Sequence, residues 1–275
     1  MQTWRPRLVA IDIDGTLPAW CEGVRESPEP AGSGLLKALG AAVDAGAHVV
    51  LCSGRSPQGM TRVIDRLRFS GRSGAERQWL VAGNGTMVCR YAPLEITHEE
   101  TFDAGTAVRA FLDRCPSALV AVEHRGVGYR LTAPFPDGEL PGEMIVTDLD
   151  DLLAEPVSRA IVRDPTATPE EFVRLAAETE LPGAEHSVGW SAWLDLTPAG
   201  VSKASALRHV CAALGVTASQ VLALGDGRND IPMLQWAGRG VAVAQAPEEV
   251  RNAADATTLS AEDDGVAAEL RQWFA

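Results

Sequence analysis

Four short runs in this sequence are apolar almost throughout: Leu8-Val9-Ala10-Ile11, Ala47-His48-Val49-Val50-Leu51-Cys52, Trp79-Leu80-Val81-Ala82 and Val221-Leu222-Ala223-Leu224. A strand with one wet face alternates apolar and polar residues, and these do not. Each therefore has to be covered on both faces, the condition of a parallel sheet held between two layers of helices. The stretches between the runs fit this. Leu35, Leu36, Leu39 and Val43 repeat at helical spacing before Gly46, and 201–214 reads as a helix ended by Gly215. Strand, helix and strand in that order imply right-handed crossovers, so the expected fold class is α/β, with a doubly wound parallel sheet.

From Asn84 the texture changes. Short strands are expected at 87–91, 119–124, 127–131, 144–146 and 160–162, with helices only at 104–115 and 169–179. Turn sequences such as Pro136-Asp137-Gly138 and Pro141-Gly142 separate them. The first texture returns after Gly189, with strands at 193–196, 221–224 and 241–243 and helices at 230–236 and 262–274. The predicted organisation is a discontinuous catalytic core, 1–84 plus 190–275, carrying an inserted α+β domain at 85–189.

Composition narrows the partners. Asp and Glu number 37 against 24 Lys and Arg, for a net charge of −13. That balance speaks against nucleic acid, whose backbone is bound by clustered cations, and against an anionic membrane surface. The five cysteines are scattered and never spaced C-x-x-C, so they read as reduced thiols rather than a disulfide framework or a zinc site. No signal-peptide core and no bilayer-length apolar stretch is visible, and a cytoplasmic monomer or homodimer is expected.

In open parallel sheets ligands bind beyond the carboxyl ends of the strands, so the residues there are the candidates for chemistry. The first strand ends in Asp12-Ile13-Asp14-Gly15-Thr16, the second in Ser53-Gly54-Arg55, and the fourth in Gly225-Asp226-Gly227-Arg228-Asn229-Asp230. Lys203 opens the helix before the fourth strand. Asp12 and Asp14 are two apart, which in extended chain points both carboxylates the same way. Like charges that close are costly unless a cation joins them. With Asp226 as a third carboxylate, the oxygen donors suit Mg²⁺. Ser53 offers a hydroxyl, Gly54 an unobstructed N–H and Lys203 a point charge for a phosphate oxygen. Mg²⁺ and Lys203 together bring the positive charge that lets a phosphate dianion approach a carboxylate nucleophile.

Asp12 to Leu17 (Asp-x-Asp-Gly-Thr-Leu), Ser53-Gly54-Arg55, Gly200-Val201-Ser202-Lys203 and Gly225-Asp226-Gly227-x-Asn229-Asp230 resemble, in order, the four motifs of the haloacid dehalogenase superfamily. The place, size and texture of the insertion are similar to the C2-type cap of the Cof-type, subfamily IIB sugar-phosphate phosphatases, and Asn84-Gly85-Thr86 resembles the start of that cap. The resemblance implies a Rossmann-like core with a mobile lid and a phosphatase acting on a small phosphorylated metabolite, a sugar phosphate above all. It implies Asp12 as nucleophile and metal ligand, and Asp14 as acid/base and metal ligand through its backbone carbonyl. Ser53 and Lys203 would hold the phosphoryl group and Asp226 would ligate Mg²⁺, while Asn229 and Asp230 order the metal's surroundings or Lys203. The departures are Ser53 where threonine is commoner, Ala204 where glycine is usual, and Pro18 after Leu17; none removes a catalytic group.

Other residues have alternative readings. Arg55 is a candidate for substrate contact or a simple ion pair. His124, Arg125 and Arg163 are cap residues open to substrate recognition or to a solvated surface role. Trp190 and Trp193 are expected to pack at the domain junction, and residues 20–30, rich in Pro and Glu, to shape the mouth of the pocket. A phosphomannomutase-like phosphosugar mutase shares the core motifs and is the alternative enzyme. A receiver-type signalling module is shorter and has no insertion, and a non-catalytic phosphosugar-binding protein would have no need of both aspartates.

Overall fold

The computed structural model describes residues 4–18, 33–67, 77–125, 127–189 and 191–274. The stretch 20–30 and Trp190 lie outside the described residues. The chain begins with β1 (Leu8–Asp12), α1 (Ser33–Asp44), β2 (His48–Cys52), α2 (Pro57–Leu67), β3 (Gln78–Ala82), β4 (Met87–Tyr91) and β5 (Glu95–Glu99). It continues through α3 (Gly105–Leu112), β6 (Leu119–His124), β7 (Gly128–Leu131), β8 (Glu143–Val146), α4 (Leu149–Leu152), β9 (Ala160–Arg163), α5 (Pro169–Glu178), β10 (Ala184–Val188) and β11 (Trp193–Pro198). It ends with α6 (Lys203–Leu214), β12 (Val221–Gly225), α7 (Ile231–Trp236), β13 (Arg239–Ala242), α8 (Glu248–Ala253), β14 (Ala256–Thr257) and α9 (Gly265–Phe274).

Eight strands form one sheet in the order β14-β13-β12-β1-β2-β3-β4-β5. From β14 to β3 every neighbouring pair is parallel, and β4 then turns back antiparallel to β3. The absence of alternation in β1 has the expected cause. Val9 and Ile11 sink into one layer with Leu35 and Leu39 of α1, Met60 and Ile64 of α2, and Leu270 of α9. Leu8 and Ala10 sink into the other with Leu207 and Val210 of α6, Met233 of α7 and Val250 of α8. The chain winds outward from β1 through β2 to β3, then resumes at β12 on the other side of β1 and winds outward again. The strand order thus reverses between β1 and β12, where the loops leaving the two strands diverge and open a crevice.

The inserted residues form a six-stranded sheet in the order β10-β11-β9-β6-β7-β8. It is antiparallel except for the β7–β8 pair. Phe111 of α3, Leu152 of α4 and Phe172 of α5 cover one face with Val120, Val122 and Val162. On the other face Ala121, Tyr129, Leu131 and Ile161 pack with Phe135 and Leu140, which no helix carries.

The boundaries differ from those expected. The compact units are Met1–Gly54, Met60–Thr97 and Ser202–Ala275 in one, and Arg55–Gly59 with His98–Val201 in the other. Residues 87–91, assigned to the insertion by sequence, pair with β3 in the core sheet. Residues 193–196, assigned to the core, pair with β9 and β10 in the inserted sheet. A short apolar strand carries no mark of its partner; the hairpins β3–β4 and β10–β11 are decided by nearness along the chain. Trp193 packs edge-on against Phe135 inside the inserted unit, with ring centroids 6.0 Å apart.

Leu222 of β12 is fully buried in the layer shared with α1 and α9. Leu222→Ala is expected to lower the unfolding free energy by about 2–5 kcal/mol in urea titration, through a cavity that the tight sheet cannot close.

Candidate active site

The site begins where β1 stops. After Asp12 the chain leaves the extended conformation, and the N–H groups of Thr16 and Leu17 turn back to the Ile13 carbonyl at 3.3 and 3.0 Å. Gly15 makes this possible: its φ is +85°, and a Cβ there would lie 2.2 Å from Asp226 Oδ2. The Gln245 side-chain amide holds the turn from outside, donating to the Gly15 carbonyl at 2.6 Å. The buried Thr16 hydroxyl lies 2.9 Å from Asp12 Oδ2 and 3.2 Å from Asp226 Oδ1, between the two carboxylates.

Helix α6 delivers the cation. Ser202 caps it reciprocally with Ser205, so Lys203 is its first residue. The Lys203 side chain is wholly buried, and its ammonium donates to Asp12 Oδ1 and to Asp230 Oδ1, each at 2.6 Å. Asp230 is satisfied on its other oxygen too, because Oδ2 accepts from the backbone N–H groups of Asp226 (3.0 Å) and Gly227 (2.9 Å). It therefore locks the loop after β12 onto Lys203. Gly225 leaves room for this carboxylate, since a Cβ would come within 2.6 Å of it.

Beside β1, the Ser53 hydroxyl donates to Asp14 Oδ2 at 3.2 Å. The Ser53 backbone is held by the β3 residue Val81 and by Asn84, whose N–H donates to the Ser53 carbonyl at 3.0 Å. Asn84 sits in a left-handed conformation, and its side-chain oxygen accepts from Asn229 Nδ2 at 2.9 Å. Asp12, Asp14, Ser53, Gly54, Lys203, Asp226, Asn229 and Asp230 all belong to the first compact unit. Arg55 is half-buried and falls with 55–59 in the second.

One expectation is corrected. The side-chain carboxylates gathered within 4.8 Å of one another are Asp12, Asp226 and Asp230. The Asp14 carboxylate, expected to point with that of Asp12, is not among them, which leaves its backbone carbonyl as the metal contact expected of it. The two-residue spacing of Asp12 and Asp14 aligns side chains only in extended backbone, and the turn at Asp14-Gly15 ends it. The Asp14 side chain turns to Ser53 instead. Thr16, Asn84 and Gln245 were given no role in advance. Thr16 and Asn84 lie inside quoted motifs, whereas nothing around Gln245 marks it.

The electrostatics of the cluster are unbalanced. Burial and the Asp230 charge push Asp12 well above the usual carboxylate range, in spite of Lys203. Burial and Asp230 likewise push Asp226 up to about 6. Burial works against the Lys203 charge, but Asp12 and Asp230 more than offset it and hold the ammonium protonated. With Asp230 committed to Lys203 and two N–H groups, Asp12 and Asp226 are left facing each other without enough positive charge. Two hard oxygen donors in that state fit a small divalent cation.

The family model for haloacid dehalogenase-like hydrolases matches residues 9–121 and 146–270. YxeH of Bacillus subtilis, whose name places it provisionally among phosphatases, is 27% identical over 95% of this chain and 96% of its own length. YcsE of the same organism, named a 5-amino-6-(5-phospho-D-ribitylamino)uracil phosphatase, is 24% identical over 97% of this chain and 95% of its own. Among solved structures, the HAD subclass IIB sugar phosphatase BT4131 matches with a TM-score of 0.75 over 97% of this chain and 98% of its own, at 21% identity. That last likeness is one of fold. Among the described residues no helix is long and apolar enough to cross a membrane.

Asp230→Ala is expected to cost about 3–5 kcal/mol of stability in urea titration, because it strips the buried Lys203 of one partner and two N–H groups of their acceptor.

Proposed function

The chain is a phosphatase of the haloacid dehalogenase-like hydrolase family, and on that premise we propose that it cleaves a small phosphorylated metabolite through a phospho-aspartate on Asp12. The observation that carries this reading is the buried Lys203, shared at 2.6 Å by Asp12 and Asp230 beside Asp226. A carboxylate held in one orientation by a fixed ammonium at a topological switch point is a positioned nucleophile.

In the proposed reaction an Asp12 carboxylate oxygen attacks phosphorus and the ester P–O bond breaks. Asp14, oriented by Ser53, delivers its proton to the leaving alkoxide. Asp14 then takes a proton from water, which attacks the acyl phosphate and returns Asp12 to its carboxylate form. Ser53, the Gly54 N–H and Lys203 bind the phosphoryl oxygens. Asp12, Asp226 and the backbone carbonyl of Asp14 would hold Mg²⁺, with Asn229 and Asp230 ordering the groups around them. When bound there, Mg²⁺ supplies the positive charge that offsets the carboxylates' repulsion of a phosphate dianion. Thr16 keeps the Asp12 and Asp226 side chains in register.

The preference for a sugar phosphate is supported by the relatives' names. BT4131 is called a sugar phosphatase, and the named substrate of YcsE carries its phosphate on a ribityl chain. Both leaving groups are polyhydroxylated. The insertion would select among such leaving groups and exclude bulk water.

Phosphate release from a panel of sugar phosphates and p-nitrophenyl phosphate, with Mg²⁺ or EDTA, tests the reading. Release with Mg²⁺ and its loss in EDTA are expected, whereas isomerisation of hexose phosphates without phosphate release would mark a mutase. Asp12→Asn is expected to lower kcat by about 10³-fold or more and Asp14→Asn by about 10²–10⁴-fold. Near-normal turnover by Asp12→Asn would sink the mechanism. Millimolar Mg²⁺ is expected to raise the Tm of the wild type, and Asp226→Asn to abolish that increase in differential scanning calorimetry.

A further inference from the structure

The helix-free face of the inserted sheet is apolar around Ala121, Leu131 and Ile161, but turns polar at one end. Glu123 on β6 stands directly opposite Tyr129 on β7, and its N–H donates to the Arg159 carbonyl at 3.1 Å. Directly opposed residues share a face, and Arg159, two residues before Ile161, shares it as well. Arg159 is already engaged, its guanidinium 2.6 Å from Asp195 Oδ1, with both side chains nearly buried. Tyr129 is hydrogen-bonded to Ser56, in the segment that follows Ser53-Gly54 in the chain and belongs to this unit. Glu123 is the exception. It is 6% exposed, and neither carboxylate oxygen has a hydrogen-bond partner among the described residues.

A buried carboxyl group with two unmet acceptors destabilises the fold, and an apolar residue of similar size would not. Its presence calls for a ligand that meets those acceptors. We propose that Glu123, with Tyr129 and Arg159 beside it, is a subsite that binds a neutral, hydroxyl-bearing part of the substrate. The inference deepens the sugar-phosphate reading and rests on it.

The chemistry of the cluster selects this class of group. Arg159 is taken by Asp195 and Arg125 by Glu99, so neither guanidinium is left over to hold a second phosphate. Burial, against the pull of Arg159, pushes Glu123 up to about 7. Near neutrality the carboxyl group then both donates and accepts, as a hydroxyl does, whereas an ammonium group would require the full anion. Vicinal hydroxyls meet both Glu123 oxygens at once.

The test compares wild type, Glu123→Gln and Glu123→Leu as full-length protein, on glucose 6-phosphate and on other sugar phosphates, against p-nitrophenyl phosphate, whose leaving group has no further hydroxyl. The expected result is a fall in kcat/KM on the best sugar phosphate at least about ten-fold greater than any fall on p-nitrophenyl phosphate. The Tm of both variants should equal or exceed that of the wild type. Parallel losses on both substrate types, no loss on either, or a lowered Tm in both variants would overturn the subsite. Wild-type protein inactive on every ester would instead overturn the phosphatase reading. Calorimetric titration with free glucose and ribitol then decides separately: heat lost in Glu123→Gln upholds the subsite, and equal heat or none in either protein overturns it.

Discussion

The ammonium of Lys203 is the interaction on which the core of this molecule depends. A lysine with no exposed surface is unstable as a lone cation, and this one is stabilised by carboxylates from two distant parts of the chain, 191 and 27 residues away. Asp12 comes from the end of β1 and Asp230 from the loop after β12. The same Asp230 closes that loop through the N–H groups of Asp226 and Gly227. One buried charge thereby joins the first strand, the first residue of α6 and the loop beyond β12, and all three have to be in place before any is satisfied. Such an arrangement contributes more to uniqueness of geometry than to net stability, since desolvating three charges offsets much of their attraction.

The sheet supplies the place for it. Because β1 and β12 are adjacent and parallel, their carboxyl ends open on the same edge, and the reversal of winding between them keeps helices from covering it. Close approach is then bought with missing side chains. Gly15 admits Asp226 next to the β1 turn, Gly225 admits Asp230, and Gly85, where a Cβ would lie 2.1 Å from the Ser202 carbonyl, admits the start of α6. Each of these glycines marks where a neighbouring group comes closer to the backbone than a Cβ would allow.

Much of this was legible in the sequence, for physical reasons that also explain what was not. Unalternating apolar runs betray burial on both faces, so the sheet and the strand ends bearing Asp12, Ser53 and Asp226 could be placed without coordinates. Gly215 announced the end of α6 by the capping chemistry a helix demands, whereas its start was placed at Val201, ahead of the Ser202 cap. Pairing partners were another matter: β4 and β11 carry local patterns that suit either sheet, and their boundaries were misplaced by a strand each. Asp14 was misdirected because side-chain alternation presumes an extended chain, and a left-handed Gly15 one residue later is a sign that extension has ended. Glu123 offered no signal at all. An acid near the end of a strand, next to a histidine, reads as solvent-facing, and only the opposed Tyr129 and the ion-paired Arg159 show it to be enclosed.

The two compact units hold their acidic groups under opposite regimes, and the contrast follows from what surrounds them. In the first unit Asp12 and Asp226 lie close, share one hydroxyl and are short of positive charge, a combination that selects a cation. In the second, Glu123 is a single acid with an arginine nearby that is already spoken for by Asp195, so neither a cation nor an anion is strongly favoured there. An aspartate pair raised by burial and by the Asp230 charge is relieved by positive charge; a lone glutamate raised by burial is relieved by hydrogen bonds. The two units therefore call for different chemistry from what they bind, positive charge at Asp12 and Asp226 and hydrogen-bonding groups at Glu123.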